Sequence, residues 1–207
     1  MRDYSLYLFD FDNTLYDTNE GIREILRHAL PMVGVEYDDS RFAEFSGLSM
    51  DQVFDRFVGS RELYDRYRDE FMRIVRSDTY LSGVPFPETG SVLRELADRG
   101  KHIGIVSGKM SYKIRNLMER DGILDLVEVV VGYGDTERHK PFPDPIDLAL
   151  SYFDVPKGDV LYVGDSPNDS GAAVNAGVDC AIVNRHNGLT PDGLECTYEV
   201  GSLTDLL

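Results

Sequence analysis

Tyr4-Ser5-Leu6-Tyr7-Leu8-Phe9-Asp10-Phe11-Asp12-Asn13-Thr14-Leu15 is the stretch on which the fold turns. Its first half is an apolar run of strand length. Its second half opens on two acids separated by one residue. Alternate side chains of a strand share a face, so the run predicts a buried strand that delivers Asp10 and Asp12 together to the tip of a sheet. Two like charges held side by side repel unless a cation or a proton intervenes. The pair reads as a chemical site more readily than as a packing solution, although acids also serve as turn caps.

Working outward, the chain beyond residue 82 alternates strand-like and helix-like segments. Apolar runs predict strands over 102–106, 127–131, 160–163 and 180–183. Between them, helices are expected over 92–98, 111–121, 144–153 and 168–176, several closed by glycine. Such alternation implies parallel pairing with right-handed crossovers. The strand runs are continuously apolar, as in a sheet covered on both faces. The expected class is therefore α/β: a Rossmann-like parallel sheet flanked by helices. Residues 17–80 differ, lacking strand-like runs and reading as helices over 20–33, 50–58 and 61–75. The expected organisation is an α/β core of residues 1–16 and 81–207, with a helical cap of residues 17–80. Its joints would be Asp17-Thr18-Asn19 and Leu81-Ser82-Gly83. Ligands of open α/β sheets sit beyond the carboxyl ends of the strands, so a module spliced in there is placed to act as a lid.

Four places stand at such strand ends: Asp10 and Asp12; Ser107-Gly108; Lys140-Pro141; and Gly164-Asp165-Ser166-Pro167-Asn168-Asp169. Taken singly, each has a bland reading. Ser107 suits a turn cap, Lys140 a solvated lysine, and Asp165 and Asp169 turn and N-cap positions. Taken in order, they form an inventory for phosphoryl transfer. Asp10, Asp12 and Asp165 offer hard oxygen ligands suited to Mg²⁺. A carboxylate can act as a nucleophile and form an aspartyl-phosphate. Ser107, the amides of the glycine-bearing loops and the Lys140 ammonium can hold phosphate oxygens.

Composition bounds the alternatives. The chain has 207 residues, of which 42% are hydrophobic, enough for one core plus a modest insertion. No apolar stretch reaches membrane-spanning length. Met1-Arg2-Asp3 runs straight into the first strand with no visible signal peptide, so a cytoplasmic location is expected. The net charge of -16 argues against nucleic-acid and anionic-membrane partners. Lysine stands only at Lys101, Lys109, Lys113, Lys140 and Lys157. That acidic, lysine-poor balance predicts adaptation to high salt, which screens self-repulsion. Cys180 reads as a buried thiol, and nothing in its spacing from Cys196 asks for a disulfide. His28, His102, His139 and His186 share no metal-ligand spacing.

The pattern resembles the haloacid dehalogenase (HAD) superfamily of phosphotransferases. Asp10-Phe11-Asp12-Asn13-Thr14-Leu15 matches its first motif and Ser107 its second. Lys140-Pro141 matches its third, and Gly164-Asp165 through Asp169 its fourth. Asn13 stands where many members have glycine. The resemblance covers essentially the whole chain, with the helical insertion similar to the type-1 cap. It implies that Asp10 attacks phosphorus and that Asp12 protonates the leaving oxygen, then activates water. It places Mg²⁺ on Asp10, Asp12 (through its backbone carbonyl), Asp165 and Asp169, the last directly or through water. It makes Ser107, Gly108, Lys140, Asn13 and Thr14 the phosphate-binding set, with Thr14 also orienting the loop and Asp12.

Several reactions remain open at this point. Dehalogenases of the family lack the second aspartate, so Asp12 favours phosphate chemistry. Cap lysines of phosphonate-cleaving relatives have no counterpart between Asp17 and Tyr80. The simplest expectation is a Mg²⁺-dependent phosphatase of a small phosphomonoester, monomeric or homodimeric. Phe45-Ser46-Gly47-Leu48-Ser49 resembles the cap loop of phosphoglycolate-phosphatase-like members, although Ser49 equally suits a helix N-cap. Arg23, Arg27, Arg41, Arg56 and Arg61 offer a clamp for a carboxylate-bearing substrate or, more blandly, partners for exposed acids. Asp135 is a candidate for orienting Lys140 or, more blandly, a loop acid in solvent, and His139 is a candidate for the rim of the site. Nucleotidase, sugar-phosphate phosphatase, pyrophosphatase and phosphoglucomutase-like activities stay in view. So do a receiver-like phospho-accepting module and a catalytically idle binder.

Overall fold

The computed structural model describes residues 1–77, 83–185 and 194–207. The chain divides into two compact units, one of Met1–Asp17 with Val84–Leu207 and one of Thr18–Gly83. Of the joint expected at Leu81-Ser82-Gly83, the first two residues lie outside the described residues.

The larger unit is built on strands β1 (Leu6–Phe9), β2 (Tyr16–Asp17), β3 (Val84–Pro85), β4 (His102–Val106), β5 (Val129–Val131), β6 (Val160–Gly164), β7 (Asp179–Val183) and β8 (Tyr198–Val200). Six of them form one sheet in the order β5-β4-β1-β6-β7-β8, and every neighbouring pair is parallel. Strand β1 therefore lies at the centre, between β4 and β6. The three strand ends carrying Asp10, Ser107 and Asp165 are adjacent for that reason. This is the α/β parallel sheet anticipated from the apolar runs.

Helices α4 (Thr89–Asp98), α5 (Ser111–Arg120), α6 (Asp144–Leu150) and α7 (Pro167–Ala176) connect the strands. One apolar cluster joins Leu6, Leu8, Tyr162 and Ile182 of the sheet to Ile146, Ala149, Ala172, Ala173 and Ala176 of α6 and α7. The alanines let α7 lie close over the sheet. Within the sheet, Gly104 of β4 leaves room for Leu8 of β1: a Cβ there would come within 2.7 Å of Leu8 Cδ2. Burial of such side chains contributes roughly 1.5–3 kcal/mol each for the larger aliphatics.

The smaller unit is helical: α1 (Asn19–Ala29), α2 (Met50–Phe57) and α3 (Tyr64–Val75), with 3₁₀ turns between them. Its own core gathers Ile25, Leu26, Leu30, Phe42, Phe45, Phe54, Tyr67 and Ile74. The helix expected over 20–33 stops early. Pro31 has no N–H to continue the ladder, so it opens a 3₁₀ turn that Gly34 closes at φ 78°. Ser49 caps α2, accepting from the Gln52 N–H while the Gln52 side chain accepts from the Ser49 N–H. Arg27 and Arg41 form exposed pairs with Glu20, Asp39 and Glu44. Arg23 and Arg56 lie over the rings of Phe42 and Phe57. Arg27 and Arg41 thus pair with exposed acids, as the blander reading expects. Among the described residues no helix is long and apolar enough to cross a membrane.

Candidate active site

The first strand hands its direction to a tight turn. Asp10 N–H donates to Val163 O at 2.8 Å, and Leu15 and Tyr16 N–H both donate to Phe11 O. Asn13 adopts φ 60° at the corner, and its N–H donates to Tyr16 O at 2.7 Å. That left-handed conformation suits Asn, whose short side chain tolerates it. It lets Asn13 turn the corner without glycine. Arg185 fixes the turn from outside: its guanidinium lies 3.7 Å from the centre of the Phe86 ring, donates to Thr14 O at 2.6 Å and pairs with Glu88 at 2.5 Å. Asn13 Oδ1 and Thr14 Oγ1 are buried without a hydrogen-bond partner among the described residues.

Beyond β4, Ser107 is buried, and its Oγ accepts from Lys109 N–H at 3.3 Å. Gly108 is exposed, with open space about it. The loop is pressed against the end of β5, where a Cβ on Gly132 would meet Ser111 N at 2.4 Å and Lys109 O at 2.6 Å. Only glycine leaves room for that backbone contact. Asp135 Oδ2 accepts from Gly132 N–H at 2.7 Å. Asp135 is exposed and braces the loop rather than orienting Lys140, in line with the blander reading. His139 stacks on Tyr133.

Lys140 is the hub. Its Nζ donates to Asp10 Oδ1 at 2.7 Å, to Asp169 Oδ1 at 2.6 Å and to the Tyr162 hydroxyl at 3.0 Å, with the Val106 carbonyl a further acceptor at 3.4 Å. An ammonium has three protons, so these partners use them all. In the resting protein Lys140 holds carboxylates in place, and a phosphate oxygen would have to take over one of these bonds.

Asp165 and Asp169 follow β6. Ser166 caps α7, and Asp169 closes a capping box with it. Asp169 Oδ2 accepts from Ser166 N–H and Oγ and from Asp165 N–H, while Oδ1 takes Lys140 and Tyr162. Such a set leaves little lone-pair capacity for an ion. Gly164 makes the arrangement possible, since a Cβ there would lie 2.4 Å from Asp169 Cβ and Cγ.

Oxygens of Asp10, Asp165 and Asp169 lie within 4.8 Å of one another. Burial, with repulsion from Asp169 and Asp12, pushes the Asp10 carboxyl up to about 7 despite Lys140. Burial and the charges of Asp169 and Asp10 push Asp165 well above the usual carboxylate range. Asp169 is lowered: burial opposes ionisation, but Lys140 and the hydrogen bonds of Ser166 and Tyr162 outweigh it. Burial works against the Lys140 ammonium too, yet Asp10 and Asp169 raise it well above the ordinary lysine value. Three ionised carboxylates would carry more negative charge than one ammonium balances, and burial together with that repulsion makes Asp10 and Asp165 hold their protons more tightly. A hard divalent cation among these oxygens fits the donor set.

Of the expected site residues, Asp10, Lys140, Asp165 and Asp169 converge directly. Ser107 and the 11–16 turn stand at neighbouring strand ends. The Asp12 carboxylate is not part of the triad: its Oδ1 accepts from Lys109 Nζ at 2.8 Å. Lys109, Tyr162 and Arg185 were not anticipated. Lys109 carried a signal, being one of five lysines and two residues beyond Ser107. Tyr162 reads as core within an apolar strand, and Arg185 is distant in sequence from everything it touches.

Comparison with known proteins agrees with this geometry. A sequence model of the haloacid dehalogenase-like hydrolases matches residues 7–183. A phosphoglycolate phosphatase of Photorhabdus laumondii is 32% identical over 83% of this chain and 76% of its own length. The pyrophosphatase PpaX of Oceanobacillus iheyensis is 27% identical over 85% of this chain and 81% of its own length. The crystal structure of a protein described as a haloacid dehalogenase-like hydrolase, from Bacteroides fragilis, superposes with a TM-score of 0.88 at 28% identity. That match covers 99% of this chain and all of the other. The chain belongs to the haloacid dehalogenase-like hydrolases and is a phosphohydrolase of that family.

Proposed function

We propose that the protein is a Mg²⁺-dependent phosphatase that hydrolyses a small phosphomonoester of the phosphoglycolate type through an aspartyl-phosphate on Asp10. The observation that carries this reading is the contact of Asp10 with Lys140 at 2.7 Å beside the Asp165 carboxylate. Asp10 and Asp165 would hold the cation, whose charge offsets that of the phosphate and of the clustered acids. The Asp12 backbone carbonyl would join them, with Asp169 fixing Lys140 and the Asp165 loop.

An Asp10 carboxylate oxygen forms a bond to phosphorus while the bond to the leaving oxygen breaks, and Asp12 gives that oxygen its proton. Water then forms a bond to phosphorus, Asp12 takes its proton, and the Asp10–phosphorus bond breaks to release phosphate. Lys140, Ser107, Gly108, Asn13 and Thr14 hold the oxygens of the transferring group. Buried Asn13 Oδ1 and Thr14 Oγ1, unpartnered among the described residues, favour such a use of the turn.

In this reading residues 17–80 act as the cap domain of the 1–16 and 81–207 core, excluding bulk water from a small substrate. Pyrophosphate is the second reading, because the Oceanobacillus iheyensis relative, 27% identical over 85% of this chain, carries that activity in its name. Phosphate release from 2-phosphoglycolate, pyrophosphate and p-nitrophenyl phosphate, with Mg²⁺ and with EDTA, tests the proposal. Sustained Mg²⁺-dependent turnover is the expected result. A single stoichiometric phosphorylation, or silence on all three, contradicts it.

The charge of -16 also supports a high-salt setting. Melting temperature is expected to rise between low and molar KCl. A flat profile ends that part of the proposal.

A further inference from the structure

Lys109 has no part in the reaction as drawn above, yet it is the cation nearest the proposed acid–base. Its side chain is 1% exposed, whereas that of Asp12 is 21% exposed. A lysine buried so deeply is costly to keep charged unless an anion compensates. The 2.8 Å contact to Asp12 Oδ1 supplies that anion. The ammonium also lies 5.9 Å from the centre of the Phe11 ring, on the residue between the two site acids.

The backbone fixes where this side chain starts. Lys109 N–H donates to Ser107 Oγ, and its carbonyl accepts from Tyr133 N–H at 2.9 Å. The tight seat against Gly132 prevents the loop from sliding. A short lever from a braced loop thus ends on one carboxylate oxygen of Asp12 and leaves the other, Oδ2, outside the bond.

We infer that Lys109 is the positioning residue for Asp12: it anchors Oδ1, so that Oδ2 moves the proton in both half-reactions. This rests on the acid–base role proposed for Asp12. When the bond from phosphorus to the leaving oxygen breaks, the proton on Oδ2 passes to that oxygen. When water attacks phosphorus, its proton returns to Oδ2 as the Asp10–phosphorus bond breaks. The terminal torsion of an aspartate is broad. Without Lys109 the two oxygens exchange places, and the acid is seldom aimed at the leaving group.

The test compares wild type, Lys109→Met, Lys109→Gln, Asp12→Asn and the double variant Asp12→Asn/Lys109→Met, all full-length and with Mg²⁺. The substrates are phenyl phosphate, whose leaving group needs a proton, and p-nitrophenyl phosphate, whose leaving group needs little help. A general acid is worth about 10²–10⁴-fold. In Lys109→Met, kcat/KM is expected to fall roughly 100-fold for phenyl phosphate and less than about 5-fold for p-nitrophenyl phosphate. In the Asp12→Asn background the same substitution is expected to cost nothing further, as for two residues acting as a unit.

An equal fall for both esters, additive losses in the double variant, or wild-type kinetics in Lys109→Met overturns the inference and leaves the proposed reaction standing. Loss of far-UV circular dichroism in both Lys109 variants overturns it too, by making Lys109 a residue of the fold. Wild-type kcat/KM on phenyl phosphate in Asp12→Asn instead removes the acid–base role itself.

Discussion

Asp10→Asn is expected to lose turnover by about 10⁴-fold or more while remaining folded, as when a nucleophile is removed from a set of groups that act as a unit. The amide has nearly the same shape as the carboxylate, so the packing at the end of β1 is kept. Stability is expected to move the other way in EDTA. Burial raises the Asp10 carboxyl to about 7, so the folded state binds this proton more tightly than the unfolded chain does. The ionised group therefore works against folding. That cost grows as pH rises from about 4, the unfolded value, to about 7, and then levels off. The metal-free variant should melt at or above wild type at pH 8, with the gap closing towards pH 4. Circular dichroism melts and steady-state phosphate release measure the two effects. A variant that keeps even a tenth of wild-type kcat would remove Asp10 as the nucleophile.

Lys140→Met is expected to have the largest effect on stability. The substitution leaves Asp10 and Asp169, both buried, without the ammonium that bridges them at 2.7 and 2.6 Å. Removing one partner of a buried ion pair costs about 3–5 kcal/mol, because the remaining charge is uncompensated. Here two charges remain. The loss should be greatest above neutral pH and shrink in acid, where protons replace the lysine. Urea midpoints at pH 5 and pH 8 read this directly. Activity is expected to fall as well, by about 10²–10³-fold, since charge on the transferring group loses a partner. An unchanged urea midpoint at pH 8 would show that Lys140 does not carry the balance assigned to it.

Much of this arrangement was legible in the sequence, and the exceptions share a cause. Strands β1, β4, β6 and β7 are continuously apolar because helices cover both faces of the sheet, and such runs announce themselves. Strand β8, Tyr198-Glu199-Val200, is short and mixed, and its pairing with β7 is visible only in three dimensions. The β2–β3 pair joins Tyr16–Asp17 to Val84–Pro85. No local pattern connects segments so far apart in the chain. At the site, residue types and strand ends identified Asp10, Lys140 and Asp165, because chemistry selects those residues. What escaped was division of labour. Asp169 reads in sequence as a residue that binds the metal directly or through water, and its hydrogen bonds add a tie to Lys140 and the α7 cap. Lys109 reads as one more lysine, yet a braced loop aims it at Asp12. Such roles depend on which donor reaches which oxygen, and spacing alone does not encode that.

The central claim is that Asp10 carries the phosphoryl group. Acid quenching of the Mg²⁺-loaded enzyme during turnover of p-nitrophenyl phosphate, followed by peptide mapping of the trapped phosphoprotein, tests it most directly. The account predicts phosphate on the peptide containing Asp10, labile to base and absent in Asp10→Asn. Label on any other residue, or equal labelling of the Asp10→Asn protein, would contradict it.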